Sequence, residues 1–123
     1  VDMPVIKVIA QHIAHLDEGY EDAGALVFLG GLAGSYPRQF GGEPELAKKY
    51  FDRALELTQR HDHIVLVNYA IFYCVNAPDR ALFEKLLHEV VEAGDQGAPY
   101  RLANKVAKRR ALRLLARTDE LFP

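Results

Sequence analysis

Histidine, cysteine and carboxylate side chains are the residues of this chain whose chemistry could support catalysis or metal binding. His61, Asp62 and His63 are consecutive, and His12 and His15 would lie one turn apart on a helix. Neither group has the ligand set or the spacing of a recognised zinc motif. We therefore predict no metal site and expect these side chains to occupy exposed polar positions.

The same residue types form no recognisable catalytic pair. Cys74 is the single cysteine and stands in an aromatic and aliphatic run, which favours a buried thiol over a nucleophile. Neighbouring carboxylates such as Asp17 and Glu18 are adjacent in sequence, so they diverge instead of converging on a substrate. The chain also lacks a phosphate loop and a dinucleotide motif. We predict a protein that is not an enzyme and that binds no cofactor.

Composition limits the protein to a modest helical domain. The 123 residues are 50% hydrophobic and 26% charged, with a net charge of −2 at pH 7. This length supports a core of about four to six helices in a single domain, residues 1–123. The near-neutral charge gives no overall signal for nucleic acid, and no apolar run is long enough to span a bilayer.

The clearest helical pattern covers residues 44–57. Small and apolar residues recur there at steps of three and four, which places them on one side of a helix. They are Ala47, Tyr50, Phe51, Ala54, Leu55 and Thr58. The order small, bulky, small within this set lets a neighbouring helix approach closely and pack on the aromatic ring. It is typical of the second helix of a tetratricopeptide repeat.

The same spacing returns further along the chain. Phe83, Leu87 and Val90 lie 36 residues after the corresponding positions of the first pattern, close to the ~34-residue period of tetratricopeptide arrays. The remaining helices are predicted at residues 3–16, 23–36, 63–75, 79–93 and 99–118. The inner stripe of the last helix would be Ala103, Val106, Ala107, Ala111, Leu114 and Leu115. We expect an all-α fold of stacked antiparallel hairpins, a degenerate tetratricopeptide-like bundle with a C-terminal capping helix.

The helix predicted at residues 23–36 contains four glycines, each costing roughly 1 kcal/mol against alanine in a helix interior. Either another helix packs closely there, which is the simpler explanation, or a hollow is left for a ligand. In the repeat frame, the first helices of the two hairpins line a concave groove with few charges, suited to an apolar peptide or a lipid-like ligand. The predicted groove residues are Gly24, Val27, Gly31, Gly34, Ser35, Val65, Asn68, Phe72, Val75 and Asn76.

A loop at residues 36–43 interrupts the helical pattern. Pro37 and the paired glycines Gly41 and Gly42 break the helix, and Tyr36 and Phe40 are aromatic candidates for partner contact. Together with the predicted groove, this loop defines the candidate partner- or ligand-binding residues. They are Val27, Gly31, Gly34, Tyr36, Phe40, Asn68, Phe72 and Asn76.

The last predicted helix is strongly basic. Its cations are Arg101, Lys105, Lys108, Arg109, Arg110, Arg113 and Arg117, with no acidic residue between them. Such a helix can bind anionic lipid or RNA, and RNA affinity would fall steeply with salt. We expect instead a solvated face whose cations pair with acidic residues of segments 17–22 and 79–93, with Arg110 partly buried in a salt bridge. We predict no nucleic-acid partner.

The succession of segments GGEPELAKKYFDRALEL, VNYAIFY, DRALFEKLLHEVVEA and RLANKVAKRRALRLLARTDELF resembles the T component of TRAP transporters. That family consists of bacterial periplasmic lipoproteins with a degenerate tetratricopeptide fold. The resemblance covers nearly the whole chain. The matching residues are Pro37, Gly41, Gly42, Pro44, Ala47, Phe51, Ala54, Leu57, Tyr69, Asp79, Phe83, Leu86, Leu87, Asn104, Ala107, Arg110, Ala111, Leu114, Leu115, Leu121 and Phe122.

This resemblance implies a non-enzymatic accessory protein that works with a periplasmic substrate-binding protein and passes it a hydrophobic or organic-acid ligand. Family members carry a signal peptide, a lipid-bearing cysteine and leading helices. Because this chain begins at Val1 without them, we expect it to be a fragment of a longer mature protein. Membrane attachment would occur only through that absent N-terminal anchor, and homo-oligomerisation is left open. The alternative is a cytoplasmic tetratricopeptide adaptor that binds a peptide segment of a partner.

Overall fold

The computed structural model describes residues 3–123, except for the side chains of residues 3, 5 and 20–22. Every regular element in this part of the chain is a helix, which confirms the all-α prediction. The helices are α1 (Met3–Leu16), α2 (Tyr20–Gly34), α3 (Pro44–Thr58), α4 (His63–Tyr69), α5 (Arg80–Glu92), α6 (Ala98–Ala116) and α7 (Thr118–Leu121). A short 3-10 turn (Arg38–Phe40) and a π-helix (Ala70–Cys74) complete the described elements.

Polar residues at the helix starts explain where the helices begin. The side chain of Asp62 accepts a hydrogen bond from the backbone N–H of Ile64 and caps α4. Asp79 caps α5 in the same way through the N–H of Leu82. These carboxylates satisfy donors that have no partner inside the helix and suit the positive end of its dipole.

The predicted core face of α3 is confirmed. Ala47, Phe51 and Ala54 are fully buried. The Phe51 ring stacks on Tyr69 of α4 with centroids 5.1 Å apart. Stacked aromatic pairs contribute roughly 0.5–1.5 kcal/mol beyond the area they bury. Phe51 therefore joins α3 to α4, while Ala47 and Phe51 also pack against Gly34 and Gly30 of α2.

A polar cluster closes the same α3–α4 contact at its outer edge. The Tyr69 hydroxyl donates to Asp52 Oδ1 at 2.7 Å, and Lys48 Nζ donates to Asp52 Oδ2 at 2.8 Å. Lys48 Nζ also lies 3.2 Å from the Tyr69 oxygen. Since the Tyr69 side chain is buried, this cluster gives its hydroxyl the partners that burial requires.

The segment predicted as one helix at residues 63–75 is not uniform. It is α-helical to Tyr69 and then forms a five-residue π-helix from Ala70 to Cys74. A π-turn takes an extra residue, so the side chains after it are rotated relative to a continuous α-helix. The predicted helix is therefore confirmed as far as Cys74, but its C-terminal half has π geometry that the sequence pattern did not indicate.

Helices α6 and α7 pack on the C-terminal part of the fold, where α6 contacts α4 and α5. Ala107 and Ala111 of α6 are fully buried, and α7 brings Phe122 edge-on to Phe83 of α5 at 4.9 Å. Val106, which was predicted on the inner stripe of α6, is 44% exposed. This correction follows from geometry, because the small Ala107 lets α6 pack on its neighbours through the adjacent row of residues.

The apolar stripe of α1 is only partly covered. Ala10 is buried, whereas Val8, Ile9 and Leu16 are exposed in the described part of the chain. No described helix is both long enough and apolar enough to cross a lipid bilayer.

Candidate functional site

A groove runs between α2 and the unit formed by α4 and the π-helix. We call it the α2–α4 groove; its lining residues are Gly24, Val27, Phe28, Gly31, Leu32, Ser35, Asn68 and Phe72. Its volume is about 390 Å³. The contributions of α2 recur at steps of three and four, so they form one continuous stripe of that helix. None of the lining residues carries a charge.

The glycines of α2 serve two purposes. A Cβ on Gly30 would stand 2.8 Å from the Phe51 ring, and a Cβ on Gly34 would overlap the carbonyl group of Phe72. These two glycines therefore permit close helix packing. A Cβ on Gly31, by contrast, would reach the Phe72 ring only at 3.8 Å, which is an ordinary contact. Gly31 thus leaves space at the surface and forms part of the floor of the groove.

Four of the predicted site residues come together in this groove. Val27 and Gly31 on α2 face Asn68 and Phe72 across it. The side-chain amide of Asn68 makes no hydrogen bond with any described residue. The sequence pattern and the structure thus agree on which surface these four residues share.

Four predicted groove positions, Gly34, Val65, Val75 and Asn76, do not line the groove. Val75 is partly buried against the core. Gly34 is buried in the helix contact, and the Asn76 amide donates to the Gly34 carbonyl oxygen at 2.7 Å. Both residues therefore hold α2 against the segment after the π-helix and are not groove surface. Val65 is 1% exposed and belongs to the core. The prediction of an accessible position was wrong for Gly34 and Val65. Gly34 packs on the Phe72 backbone, and Val65 is enclosed because α4 packs against α2, α3, α5 and α6.

Two lining residues escaped the sequence interpretation. Phe28 and Leu32 lie on the same stripe of α2 as Gly24 and Gly31. Extending the three-and-four spacing through the apolar residues of this helix would have found them. They make the groove wall more apolar than the glycines alone suggested.

The two aromatic residues of loop 36–43 are exposed. Tyr36 is 62% exposed and Phe40 is 73% exposed. The loop backbone is held by hydrogen bonds from the Gly42 N–H to the Pro37 oxygen at 3.1 Å and from the Glu43 N–H to the Ala33 oxygen at 2.8 Å. Backbone hydrogen bonds therefore hold the loop in place, and both aromatic rings are exposed on it. The loop begins directly after Ser35, which lines the groove.

Gly42 explains the paired glycines of this loop. A Cβ on Gly42 would overlap the Tyr36 carbonyl oxygen, so only glycine fits the turn. Gly41 adopts a φ of 92°, in the left-handed region that glycine favours. An ion pair between Arg38 and Glu45 joins the loop to the start of α3.

The residues considered for metal binding and nucleophilic chemistry are not assembled into a site. Within residues 3–123, no group of three histidine, cysteine or acidic side chains is placed to hold a metal ion. His63, expected at an exposed position, is only 4% exposed, and burial lowers its pKa. Burial also raises the pKa of the Cys74 thiol to about 12, so this cysteine is protonated at neutral pH.

The seven cations predicted on the last helix, six on α6 and Arg117 directly after it, are less paired than predicted. Arg101 contacts Asp95 at 2.6 Å, and Arg117 contacts Glu120 at 3.1 Å. The other five have no ion pair with any described residue: Lys105, Lys108, Arg109, Arg110 and Arg113. The expected salt bridge of Arg110 is therefore not formed within residues 3–123.

Three of the acidic residues proposed as partners for α6 pair with other cations. Glu84 pairs with Arg80, and Glu89 pairs with Arg60 at 2.5 Å. Glu18 pairs with Arg53 at 3.0 Å. The expected solvated face is therefore present, but within residues 3–123 only Arg101 and Arg117 of its cations form the expected kind of ion pair.

Comparison with known proteins identifies the family of the chain. No curated protein sequence matches it. The family model of the TRAP transporter T-component matches residues 1–122. Since this match covers almost the entire sequence, the chain belongs to the TRAP transporter T-component family.

Proposed function

We propose that this protein is a non-enzymatic accessory component of a TRAP-type transport system that docks a periplasmic substrate-binding protein. Family membership supports an accessory role in TRAP transport. The observation that carries the docking proposal is the open, uncharged α2–α4 groove, which continues along the chain into a loop with two exposed aromatic rings. The groove receives an apolar segment or ligand, and loop 36–43 contacts the partner beside it.

The lining of the groove favours an apolar occupant. Phe28, Leu32 and Phe72 provide its hydrophobic surface. Removing such surface from water is favourable by roughly 25 cal/mol of free energy per Å². A charged group placed here would lose hydration without gaining an ionic partner. Between the two ligand classes suggested by the family resemblance, the groove therefore suits a hydrophobic ligand better than an organic acid.

The loop supplies the directional part of the proposed contact. Aromatic side chains are enriched among the residues that dominate binding energy in protein interfaces. Phe40 is the most exposed aromatic residue of this loop, and its neighbours are fixed by backbone hydrogen bonds. A partner that covers Phe40 gains apolar contact without first having to order the loop.

The side chains of the groove support a binding role over catalysis. Its lining contains no acid, base or thiol. Its one hydroxyl, on Ser35, donates to the Gly31 carbonyl oxygen within the same helix. A nucleophile without a neighbouring base is poorly activated.

The cellular setting forms part of the same proposal. We assign the protein to the periplasm, attached in its full-length form by an N-terminal lipid anchor, with a tetratricopeptide-like arrangement of its hairpins. The alternative is a cytoplasmic adaptor that uses the same groove for a peptide segment of another partner. Binding to the substrate-binding protein of a TRAP transporter distinguishes these proposals, because only the periplasmic component binds that protein.

A pull-down with that substrate-binding protein tests the proposal. The wild type should retain it, whereas Phe40→Ala should lose most of the retained partner because it removes an exposed aromatic contact. Lys85→Ala, at an exposed position of α5, is the matched surface control and should bind like the wild type. Failure of the wild type to retain the partner would refute docking, and retention by Phe40→Ala would remove the loop from the interface.

A further inference from the structure

The outward side of α6 carries a second amphipathic pattern that the α2–α4 groove does not use. Its residues lie at steps of three and four and are all exposed: Leu102, Lys105, Val106, Arg109, Leu112 and Arg113. We call this set the outer face of α6. The opposite side of the helix, with Ala107 and Ala111, is buried against the rest of the stack. The outer face therefore forms a separate surface.

Aliphatic groups on this face are unusually accessible. Leu102 is 78% exposed, Leu112 is 50% exposed and Val106 is 44% exposed. Single exposed aliphatic residues are common on protein surfaces. Three on one stripe of one helix form a continuous apolar ridge, and between Leu102 and Leu112 that ridge extends about 15 Å at the helical rise.

The cations of the outer face are available for an external anion. Lys105, Arg109 and Arg113 form no ion pair with a described residue. No acidic residue occurs in the sequence between Asp95 and Asp119. Because the whole chain has a net charge of −2, this positive surface is a local segregation of charge and not a consequence of overall composition.

We propose that the outer face of α6 lies on a membrane surface that contains anionic phospholipid. In this arrangement, the lysine and arginine side chains pair with lipid phosphates, and the leucine and valine side chains enter the boundary between headgroups and acyl chains. Helices that lie in this boundary combine basic and aliphatic residues in this way. Arginine suits the role because its guanidinium group can donate two parallel hydrogen bonds to a phosphate.

The composition of the face favours lipid over RNA. Sequence-tolerant binding of single-stranded nucleic acid uses aromatic side chains on which bases stack. The outer face of α6 contains no aromatic residue, and its apolar members are aliphatic. Charge complementarity and aliphatic insertion are both satisfied by an anionic bilayer surface.

The proposed membrane contact leaves the α2–α4 groove accessible. No residue of α6 lines that groove. The protein can therefore contact a membrane through α6 while a partner occupies the groove. Mutations can abolish binding at either surface without altering the other.

Co-sedimentation with lipid vesicles tests this inference. The protein should bind vesicles of phosphatidylglycerol and phosphatidylcholine at least ~10-fold more tightly than vesicles of phosphatidylcholine alone, and added salt should weaken the binding. The double variant Arg109→Gln/Arg113→Gln should lower the affinity by about 30-fold. Leu102→Ser/Leu112→Ser should also weaken it, because insertion requires the aliphatic groups.

The control removes the same number of charges elsewhere. Lys49→Gln/Lys85→Gln affects exposed lysines of α3 and α5 and should leave vesicle binding within about 3-fold of the wild type. Equal losses in the two charge variants would overturn the proposal, as would equal binding to both types of vesicle. Binding of an RNA oligonucleotide through Arg109 and Arg113, with no vesicle binding, would also overturn it. Circular dichroism on each variant checks that the helices are retained.

Discussion

The backbone carbonyl of Phe72 packs directly against Gly34, at a place where any side chain on residue 34 would overlap it. The Asn76 amide donates to the carbonyl oxygen of the same glycine at 2.7 Å. This contact locks α2 onto the π-helix and its following turn. It also places the Phe72 ring beside Gly31, so the contact that seals one end of α2 shapes the groove one turn earlier.

Two alanine substitutions on α2 should have opposite effects on stability. Gly34→Ala introduces a methyl group into the Phe72 backbone, which cannot move away like a flexible side chain, and should lower the free energy of unfolding by about 2 kcal/mol or more. Gly31→Ala meets no such obstacle and should raise it by roughly 0.5–1 kcal/mol, through the better helix propensity of alanine.

Urea denaturation followed by far-ultraviolet circular dichroism measures both variants under the same conditions. The pair is matched, since the same substitution is made on one helix at positions three residues apart. Equal destabilisation in both variants would show that the α2–π-helix contact has been misassigned.

Removing the Tyr69 hydroxyl should destabilise the α3–α4 contact without disturbing the aromatic stack. Tyr69→Phe keeps the ring that packs on Phe51 at 5.1 Å but deletes the donor to Asp52. We expect a loss of about 1–2 kcal/mol in unfolding free energy, typical of a buried hydrogen bond that involves a charged group. Tyr36→Phe, at an exposed hydroxyl, is the control and should change stability by less than ~0.5 kcal/mol. Equal unfolding free energies for Tyr69→Phe and Tyr36→Phe would mean that the polar cluster contributes nothing to stability.

The buried thiol of Cys74 should make the protein sensitive to alkali. Burial raises the pKa of Cys74 to about 12 from an ordinary value of 9.0. Between these values the thiol ionises in the unfolded chain but stays protonated in the folded one. The contribution of Cys74 to the free energy of unfolding is therefore constant below pH 9. Above pH 9 it falls by about 1.4 kcal/mol per pH unit.

The variant Cys74→Ala isolates this contribution. Its absolute stability should be lower because of the lost sulfur, but its unfolding free energy should decline less steeply over about one pH unit above 9. Burial also raises the pKa of Tyr69 above its ordinary value of 10.0, so the comparison belongs below the onset of tyrosine ionisation. Parallel pH profiles for the two proteins would contradict a buried, protonated Cys74.

Much of the helical framework could be predicted from residue spacing. The stripe of Ala47, Phe51 and Ala54 identified the buried face of α3 because its periodicity matches an α-helix and its partner is a similarly regular surface. Val27, Gly31, Asn68 and Phe72 were assigned to one groove for the same reason. Periodicity is informative wherever one face of a regular helix is buried.

The misplaced residues are those whose position depends on other elements. The five-residue π-turn from Ala70 to Cys74 has no signature in hydrophobic spacing, so the role of Asn76, which follows it, was missed. The burial of Val65 depends on the packing of α4 against α2, α3, α5 and α6, which no local pattern encodes. Val106 lies at the edge of the α6 stripe, where a small change in helix rotation decides between burial and exposure. The ion pairing of Glu89 with Arg60, 29 residues away in sequence, required a long-range contact that no local pattern encodes.

We propose that the α2–α4 groove and loop 36–43 together form the docking surface for the substrate-binding protein of a TRAP transporter. The most direct test is a calorimetric titration of that protein into the wild type and into Gly31→Leu. The leucine stem has room beside Phe72, so its branched end should fill the groove while the unfolding free energy is retained. A dissociation constant raised by about 30-fold or more in a stably folded Gly31→Leu is the predicted result. An unchanged dissociation constant in that folded variant would contradict the account.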